Sequence, residues 1–129
     1  MKYMSLFERI TRAKLKDCIL DHNGNPVFIV QPAQISMAIG KNGVNVKKLN
    51  RIINRKIKIV EFNPSVEQFV ANLVAPLDVA GVEKQDRIVT ITGKDTKTRG
   101  LLIGRDSRNI RAIEKIVKRY FDIDEIKVK

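Results

Sequence analysis

Two glycine turns, each followed by a basic helical pattern, contain the residues best suited to ligand chemistry. Gly40 and Gly43 lie three residues apart. Because neither has a Cβ, the backbone between them can turn tightly and come close to a ligand. A helix that begins directly after such a turn presents unpaired N–H groups and the positive end of its dipole. This pattern favours the binding of an anion, and the natural anion is a phosphate.

Positive side chains surround the first turn. Lys41 lies within it, beside Asn42, and more cations follow at positions that the apolar pattern of the next helix leaves outside. The candidate binding residues of this first turn are Gly40, Lys41, Asn42, Gly43, Lys47, Lys48 and Arg51.

A second turn begins at Gly104, offset by 64 residues from Gly40. Arg105 repeats the basic residue, and Arg108 follows at the start of the next helix. Ser107 replaces the second glycine and adds a Cβ, while Asp106 places a negative charge where a phosphate would approach. We expect Gly104, Arg105 and Arg108 to form a counterpart of the first site. Reduced affinity or a structural role fits this second turn as well as full binding does.

The elements around the two turns repeat as well. Apolar periodicity, capping residues and prolines predict helix, strand, strand, helix, helix, strand over residues 1–63 and again over 64–129. The predicted fold is α+β, with two domains that each have a three-stranded sheet covered on one face by helices. The helix after the first turn should bury Val46, Leu49, Ile52 and Ile53, and the helix after the second should bury Ile110, Ile113, Val117 and Tyr120.

The net charge of +11 at pH 7 suits a partner rich in phosphate, either a nucleic acid or an anionic membrane. No apolar run is long enough to span a membrane, and the first residues lack the apolar core of a signal peptide. We therefore expect a cytoplasmic protein without membrane association. We also expect a monomer. Residues 1–63 hold 12 Lys and Arg against 4 Asp and Glu, a net +8, whereas residues 64–129 hold 13 against 10, a net +3. The first half should bind anions more strongly.

Nucleotide-binding enzymes with glycine loops do not fit this pattern. A P-loop ending at Asn42 would need Ser or Thr there and Gly in place of Ile35. A dinucleotide fingerprint ending at Gly43 would need Gly in place of Ala38. Both kinds of site are excluded by the residues present.

Catalytic and metal-binding constellations are also missing from the pattern. His22 is the single histidine and lies in a predicted turn, so a surface role is expected. The acidic cluster of Asp122, Asp124 and Glu125 is better explained as a solvated turn than as a Mg²⁺ site. We expect no enzyme activity, no metal site and no cofactor.

The element order with Gly-x-x-Gly between paired helices resembles the type II KH domain, here present in tandem. KH domains clamp four backbone nucleotides with this loop. Three stretches, Ala38–Leu49, Ile57–Glu61 and Phe69–Pro76, are similar to the tandem KH region of the NusA family of transcription factors. The similarity spans nearly the whole chain and leaves no stretch for the S1 or polymerase-binding domains of bacterial members. The resemblance is therefore to the short archaeal form.

This resemblance implies binding of single-stranded RNA and a role in transcription termination or antitermination. It implies that Gly40, Lys41, Asn42 and Gly43 clamp the RNA backbone, with Gly104 and Arg105 as second-repeat counterparts. RNA polymerase is a further candidate partner. An alternative remains open: a protein-interaction module whose KH folds dock on RNA polymerase or a ribosomal particle, with the basic surface steering assembly.

Few residues are aromatic, only 5%, which argues against RNA-binding modules that stack bases on exposed rings. The phenylalanines expected in the core are Phe28, Phe62, Phe69 and Phe121. A KH groove would instead have an aliphatic floor, for which the candidates are Ile35, Ile39 and Val44.

Overall fold

The computed structural model describes residues 2–129, and the backbone forms two compact units that divide between Asn63 and Pro64. Each unit contains helix, strand, strand, helix, helix, strand, with a short 3-10 turn between the paired helices. The predicted α+β class and the order of elements are confirmed. Within residues 2–129, no helix combines the length and apolar character needed to cross a membrane.

The first unit is built on a mixed three-stranded sheet in the order β1-β2-β3. Its elements are α1 (Lys2–Thr11), β1 (Leu15–Leu20), β2 (Pro26–Val30), α2 (Ile35–Ile39), α3 (Val44–Ile53) and β3 (Lys58–Glu61). The central strand β2 is antiparallel to β1 and parallel to β3. The predicted hairpin is therefore confirmed, and His22 lies exposed in its turn.

The core of the first unit joins the helices to the central strand. Phe7 of α1 stacks on Phe28 of β2 with ring centroids 4.4 Å apart, and both side chains are fully buried. Ala38 of α2 and Leu49 of α3 belong to the same cluster and have no exposed surface. Burial of these apolar side chains holds α2 and α3, and thus the first glycine turn, against the sheet.

One predicted core residue of α3 is exposed. Val46 and Ile53 pack against the core beside Leu49, but Ile52 is 54% exposed. At about 100° per residue, Ile52 lies roughly a quarter turn away from the stripe formed by the other three. Its prediction as a core residue was wrong because the stripe is narrower than the run of apolar residues.

The second unit repeats the arrangement with the strand order β4-β5-β6. Its elements are α4 (Val66–Val74), β4 (Val79–Gln85), β5 (Ile88–Gly93), α5 (Thr96–Ile103), α6 (Arg108–Lys118) and β6 (Glu125–Val128). The central strand β5 is antiparallel to β4 and parallel to β6. Ser65 caps α4 by accepting a hydrogen bond from the Gln68 N–H, while the Gln68 side chain donates to Asn72.

The second core contains the predicted Ile110, Ile113 and Val117 of α6, together with Ile116. Tyr120, also predicted to be buried by α6, lies beyond the end of that helix and is only half-buried. Its ring meets Phe69 of α4 edge-on at 5.7 Å.

The phenylalanines predicted for the core divide into two groups. Phe28 and Phe69 are fully buried, whereas Phe62 and Phe121 are half-buried. The Lys16 ammonium lies 4.3 Å from the centre of the Phe62 ring, a cation–π contact at the protein surface.

The acidic residues near the last strand hold a turn together. Arg87, in the turn between β4 and β5, donates from Nε to Asp124 and from its terminal nitrogen to Asp122, both at 2.8 Å. These hydrogen bonds and the guanidinium charge lower the pKa of Asp122 below its ordinary 3.8. Among residues 2–129, no group of three His, Cys, Asp or Glu is arranged to hold a metal. The cluster therefore has a structural explanation.

Replacing Arg87 by Gln is expected to make the unfolding midpoint change less with pH in the acid range. A carboxyl group whose pKa is lowered by folding stabilises the fold above its unfolded pKa, and this stabilisation is lost as pH falls. The wild-type unfolding midpoint should exceed that of Arg87→Gln at neutral pH, and the difference should close below pH 3.8. Thermal unfolding followed by circular dichroism across pH measures this. If the difference between the two unfolding midpoints stayed constant with pH, the hydrogen bond from Arg87 would not be what lowers the pKa of Asp122.

Candidate nucleic-acid interface

The first glycine turn depends on the backbone conformation of Gly40. Its φ of 79° and ψ of 168° lie in a region that only glycine adopts readily. An added Cβ would lie 2.8 Å from Asn45 Nδ2 and 3.0 Å from Val44 Cγ1. The Gly40 N–H donates to the Ser36 carbonyl at 3.0 Å and closes α2. Both the backbone and the packing therefore require glycine here.

The opposite side of the same turn is open. Asn42 and Gly43 both have left-handed backbones, with φ of 56° and 73°. The Gly43 N–H donates to the Gly40 carbonyl at 3.1 Å, which tightens the turn. Apart from Gly43 and its two chain neighbours, no atom of residues 2–129 lies within 4 Å of where a Gly43 Cβ would be. Space is therefore open on the Cβ side of Gly43, whereas side chains fill the corresponding space beside Gly40.

An asparagine braces each pair of helices behind the turn. Asn45 Nδ2 donates to the Met37 carbonyl at 3.0 Å, and Asn109 Nδ2 donates to the carbonyls of Leu101 and Leu102 at 2.9 and 3.1 Å. Neither asparagine belongs to the binding residues that the sequence predicts. Their recurrence at the 64-residue offset was the available signal.

The second turn has the same backbone as the first. Gly104 has φ 74° and ψ 172°, and Ser107 has φ 63° and ψ 18°, close to the 73° and 20° of Gly43. Asp106 likewise matches Asn42, with φ of 55° against 56°. The serine Cβ therefore leaves the turn undistorted. The Asp106 charge is the main local difference between the two turns.

The predicted cations of the first turn lie on one exposed face. Lys47, Lys48 and Arg51 project from the side of α3 opposite its buried stripe, and Lys41 lies exposed in the turn. Within residues 2–129, none of these four side chains has a carboxylate oxygen within 4.0 Å. Their charge is available to an external anion.

In the second unit, Arg105 and Arg108 are likewise exposed at the turn, and Gly104 is half-buried. In the described part of the chain, neither arginine forms an ion pair within 4.0 Å. The structure thus brings the three predicted residues together in the second turn.

Exposed aliphatic side chains flank both turns. Met37, Ile39 and Val44 are 51%, 37% and 50% exposed beside the first turn, while Ile35, also predicted for the groove floor, packs partly against the core. Leu101 and Ile103 occupy the corresponding positions of the second unit. Apolar surface next to a cationic turn suits a ligand that has both phosphates and flat apolar rings.

A cleft of about 370 Å³ opens beside the second turn, between α6 and β6. Its lining residues are Ile103, Ser107, Ile110, Arg111, Glu114, Glu125, Ile126, Lys127 and Val128. The apolar pattern of α6 predicts that Arg111 lies on the exposed face of that helix, but it does not associate Arg111 with Lys127 or Glu114. The cleft depends on the pairing of β6 with β5, which has no local sequence signal.

Comparison with known proteins places this architecture in a family. Residues 9–65 match the NusA-like second KH domain, which here is the first unit of the chain. The chain is 32% identical to the probable transcription termination protein NusA of Halococcus morrhuae, over 99% of this chain and 93% of that protein. It is 31% identical to the protein so named in Methanocaldococcus jannaschii, over 97% of this chain and 69% of that one.

A solved structure has the same fold. The crystal structure of APE1850 superposes with a TM-score of 0.76 over 99% of this chain and 96% of that chain, at 24% sequence identity. The resemblance inferred from the sequence is confirmed by these matches. With about a third of its residues identical over nearly its whole length, the chain belongs to the archaeal NusA-like family of KH-domain proteins.

Proposed function

We propose that this protein binds single-stranded RNA and acts in transcription termination or antitermination. Residues 1–63 and 64–129 are two type II KH domains in tandem, and Gly40 to Gly43 clamp the RNA backbone. The family membership supports a role in termination, and the KH match supports RNA as the ligand.

The observation that carries this proposal is the open, cationic side of the first turn. Space is open beside Gly43, and Lys41 in the same turn has no carboxylate oxygen within 4.0 Å among residues 2–129. Lys47 and Arg51 continue the positive surface one helical turn apart, about 6 Å along α3. Phosphates spaced along a single strand can contact the turn and this helix face together.

The second turn extends the bound strand with lower affinity. Gly104, Arg105 and Arg108 present a similar backbone and positive charge, but Asp106 opposes a phosphate at the position of Asn42. The smaller net charge of residues 64–129, +3 against +8, acts in the same direction.

Titration of an unstructured RNA at several salt concentrations tests this function. If about four phosphates are neutralised, log K should fall with log salt at a slope of roughly −3, from ~0.7 per phosphate for a single strand. A duplex of the same sequence should bind more weakly, since its paired bases cannot enter the cleft beside the second turn. A flat salt response or a preference for the duplex would contradict the proposal.

Crosslinking in a transcribing complex separates RNA binding from the docking alternative. RNA polymerase is a further proposed partner. In the docking alternative, the KH folds bind RNA polymerase or a ribosomal particle, and the basic surface steers their assembly. RNA crosslinks at Gly40 to Gly43 would support the clamp. Crosslinks confined to protein partners would favour the interaction module instead.

A further inference from the structure

The cleft beside the second turn contains a carboxylate whose position is fixed. Glu114 Oε2 accepts a hydrogen bond from the Ile126 N–H at 2.9 Å, which ties α6 to β6. Its side chain is only 13% exposed and lines the cleft. The other oxygen, Oε1, lies 3.6 Å from Lys118 Nζ, a loose contact that leaves it able to accept further hydrogen bonds.

The first unit performs the same bracing without a charge. Asn50 occupies the position of Glu114 at the 64-residue offset, and its Oδ1 accepts from the Ile57 N–H at 2.9 Å. An amide therefore suffices to tie α3 to the residue that precedes β3. After that bond is made, Asn50 still has an NH₂ donor, whereas Glu114 has an acceptor. A neutral acceptor can make such a bond, and the carboxylate of Glu114 adds a negative charge that faces Lys118 and the cleft.

The surroundings of Glu114 suit a nucleotide. The buried side chains of Ile110 and Ile126 form apolar walls of the cleft, and Arg111 and Lys127 are exposed at its edge. A flat base can lie against the apolar walls while its phosphate meets the cations. A half-enclosed carboxylate in such a cleft accepts a hydrogen bond from an amino group on the base, and it repels a carbonyl oxygen at the same position.

We propose that Glu114 discriminates among the bases that enter this cleft. Its carboxylate accepts a hydrogen bond from the exocyclic amino group of cytosine, so that the second unit prefers cytosine to uracil. The two pyrimidines have the same size, and uracil carries a carbonyl where cytosine carries the amino group. This assignment rests on the proposed function, because it presumes that RNA enters the cleft.

Glu114→Gln tests the assignment with little structural change. The glutamine carbonyl can keep the bond to the Ile126 N–H, while its NH₂ places a donor where Glu114 has the acceptor Oε1. The ratio of the dissociation constants for short oligocytidylate and oligouridylate should shift about fivefold towards uridylate, the value of one hydrogen bond. The first unit is identical in both proteins, so the change in ratio reports the second cleft.

Glu125→Gln is the matched control. It removes the same charge from the lining of the same cleft, but Glu125 is exposed at the start of β6. For this variant, the ratio of the dissociation constants for oligocytidylate and oligouridylate should equal that of the wild type. An equal shift in Glu125→Gln would mean that overall charge, rather than Glu114, sets the preference, and would overturn the proposal.

Modifying the RNA instead of the protein gives a second test that does not depend on how the variant folds. Oligocytidylate with a dimethylated amino group cannot donate, so it should lose affinity for the wild type and lose less for Glu114→Gln. An unchanged base ratio in folded Glu114→Gln, or no loss with the dimethylated RNA, would overturn the role of Glu114. If the wild type bound neither RNA, the proposed function itself would fail.

Discussion

Lys41→Asp combined with Asn42→Asp is expected to weaken RNA binding about 10- to 100-fold, the value of one or two charge-assisted hydrogen bonds. Both side chains are exposed at the open side of the first turn, where the changes would repel a phosphate. Asn42 has a left-handed backbone, which aspartate also adopts, as Asp106 shows in the second turn. Equilibrium titration with a labelled RNA measures affinity, and the unfolding midpoint should stay close to that of the wild type.

The control for this pair makes the same change in charge elsewhere. Thr96→Asp with Lys97→Asp alters exposed residues in the first turn of α5, at the end away from Gly104. It should reduce affinity only through long-range charge, and that reduction should disappear as salt rises. Comparable losses for the two double variants at moderate salt would exclude a local clamp at the first turn.

The second turn provides the reciprocal comparison. Because its backbone matches the first, Asp106→Asn should strengthen RNA binding and steepen its salt dependence. Arg105→Asp should weaken binding less than the double variant of the first turn does. Equal losses at the two turns would show that the first is not the principal clamp.

Gly40→Ala is expected to destabilise the first unit by about 2–4 kcal/mol. Its backbone lies in a region that costs an alanine roughly 1–3 kcal/mol. The new methyl group would also meet Asn45 Nδ2 at 2.8 Å and Cγ at 2.9 Å, and would disturb the brace to the Met37 carbonyl. Urea unfolding followed by circular dichroism measures the loss.

Gly43→Ala is the matched control in the same turn. Its left-handed backbone costs an alanine about 1 kcal/mol, and no atom lies within 4 Å of the added Cβ. Ser107 already adopts this conformation in the second unit. Equal destabilisation by the two substitutions would show that the contacts around Gly40 do not matter. In RNA titrations Gly43→Ala should still cost affinity, since its methyl group occupies the open side.

Local patterns predicted most of the elements, because each depends on residues close together in the chain. Apolar periodicity located the helices, and turn-forming residues located the hairpin between β1 and β2. The repeat at 64 residues predicted that both glycine turns join paired helices. Charge counting indicated a phosphate-rich partner, and the turn cations are indeed exposed.

The tertiary structure decided how the two turns differ and what surrounds them. From the sequence, Ser107 appeared to alter the second turn, but the backbone angles match those of the first, so the difference is the Asp106 charge. The two glycines of the first turn also looked equivalent, although only Gly40 is enclosed by side chains. The cleft that holds Glu114 forms because β6 pairs in parallel with β5 and lies beside α6. Such contacts join residues far apart in the chain, and no local pattern of residue types encodes them.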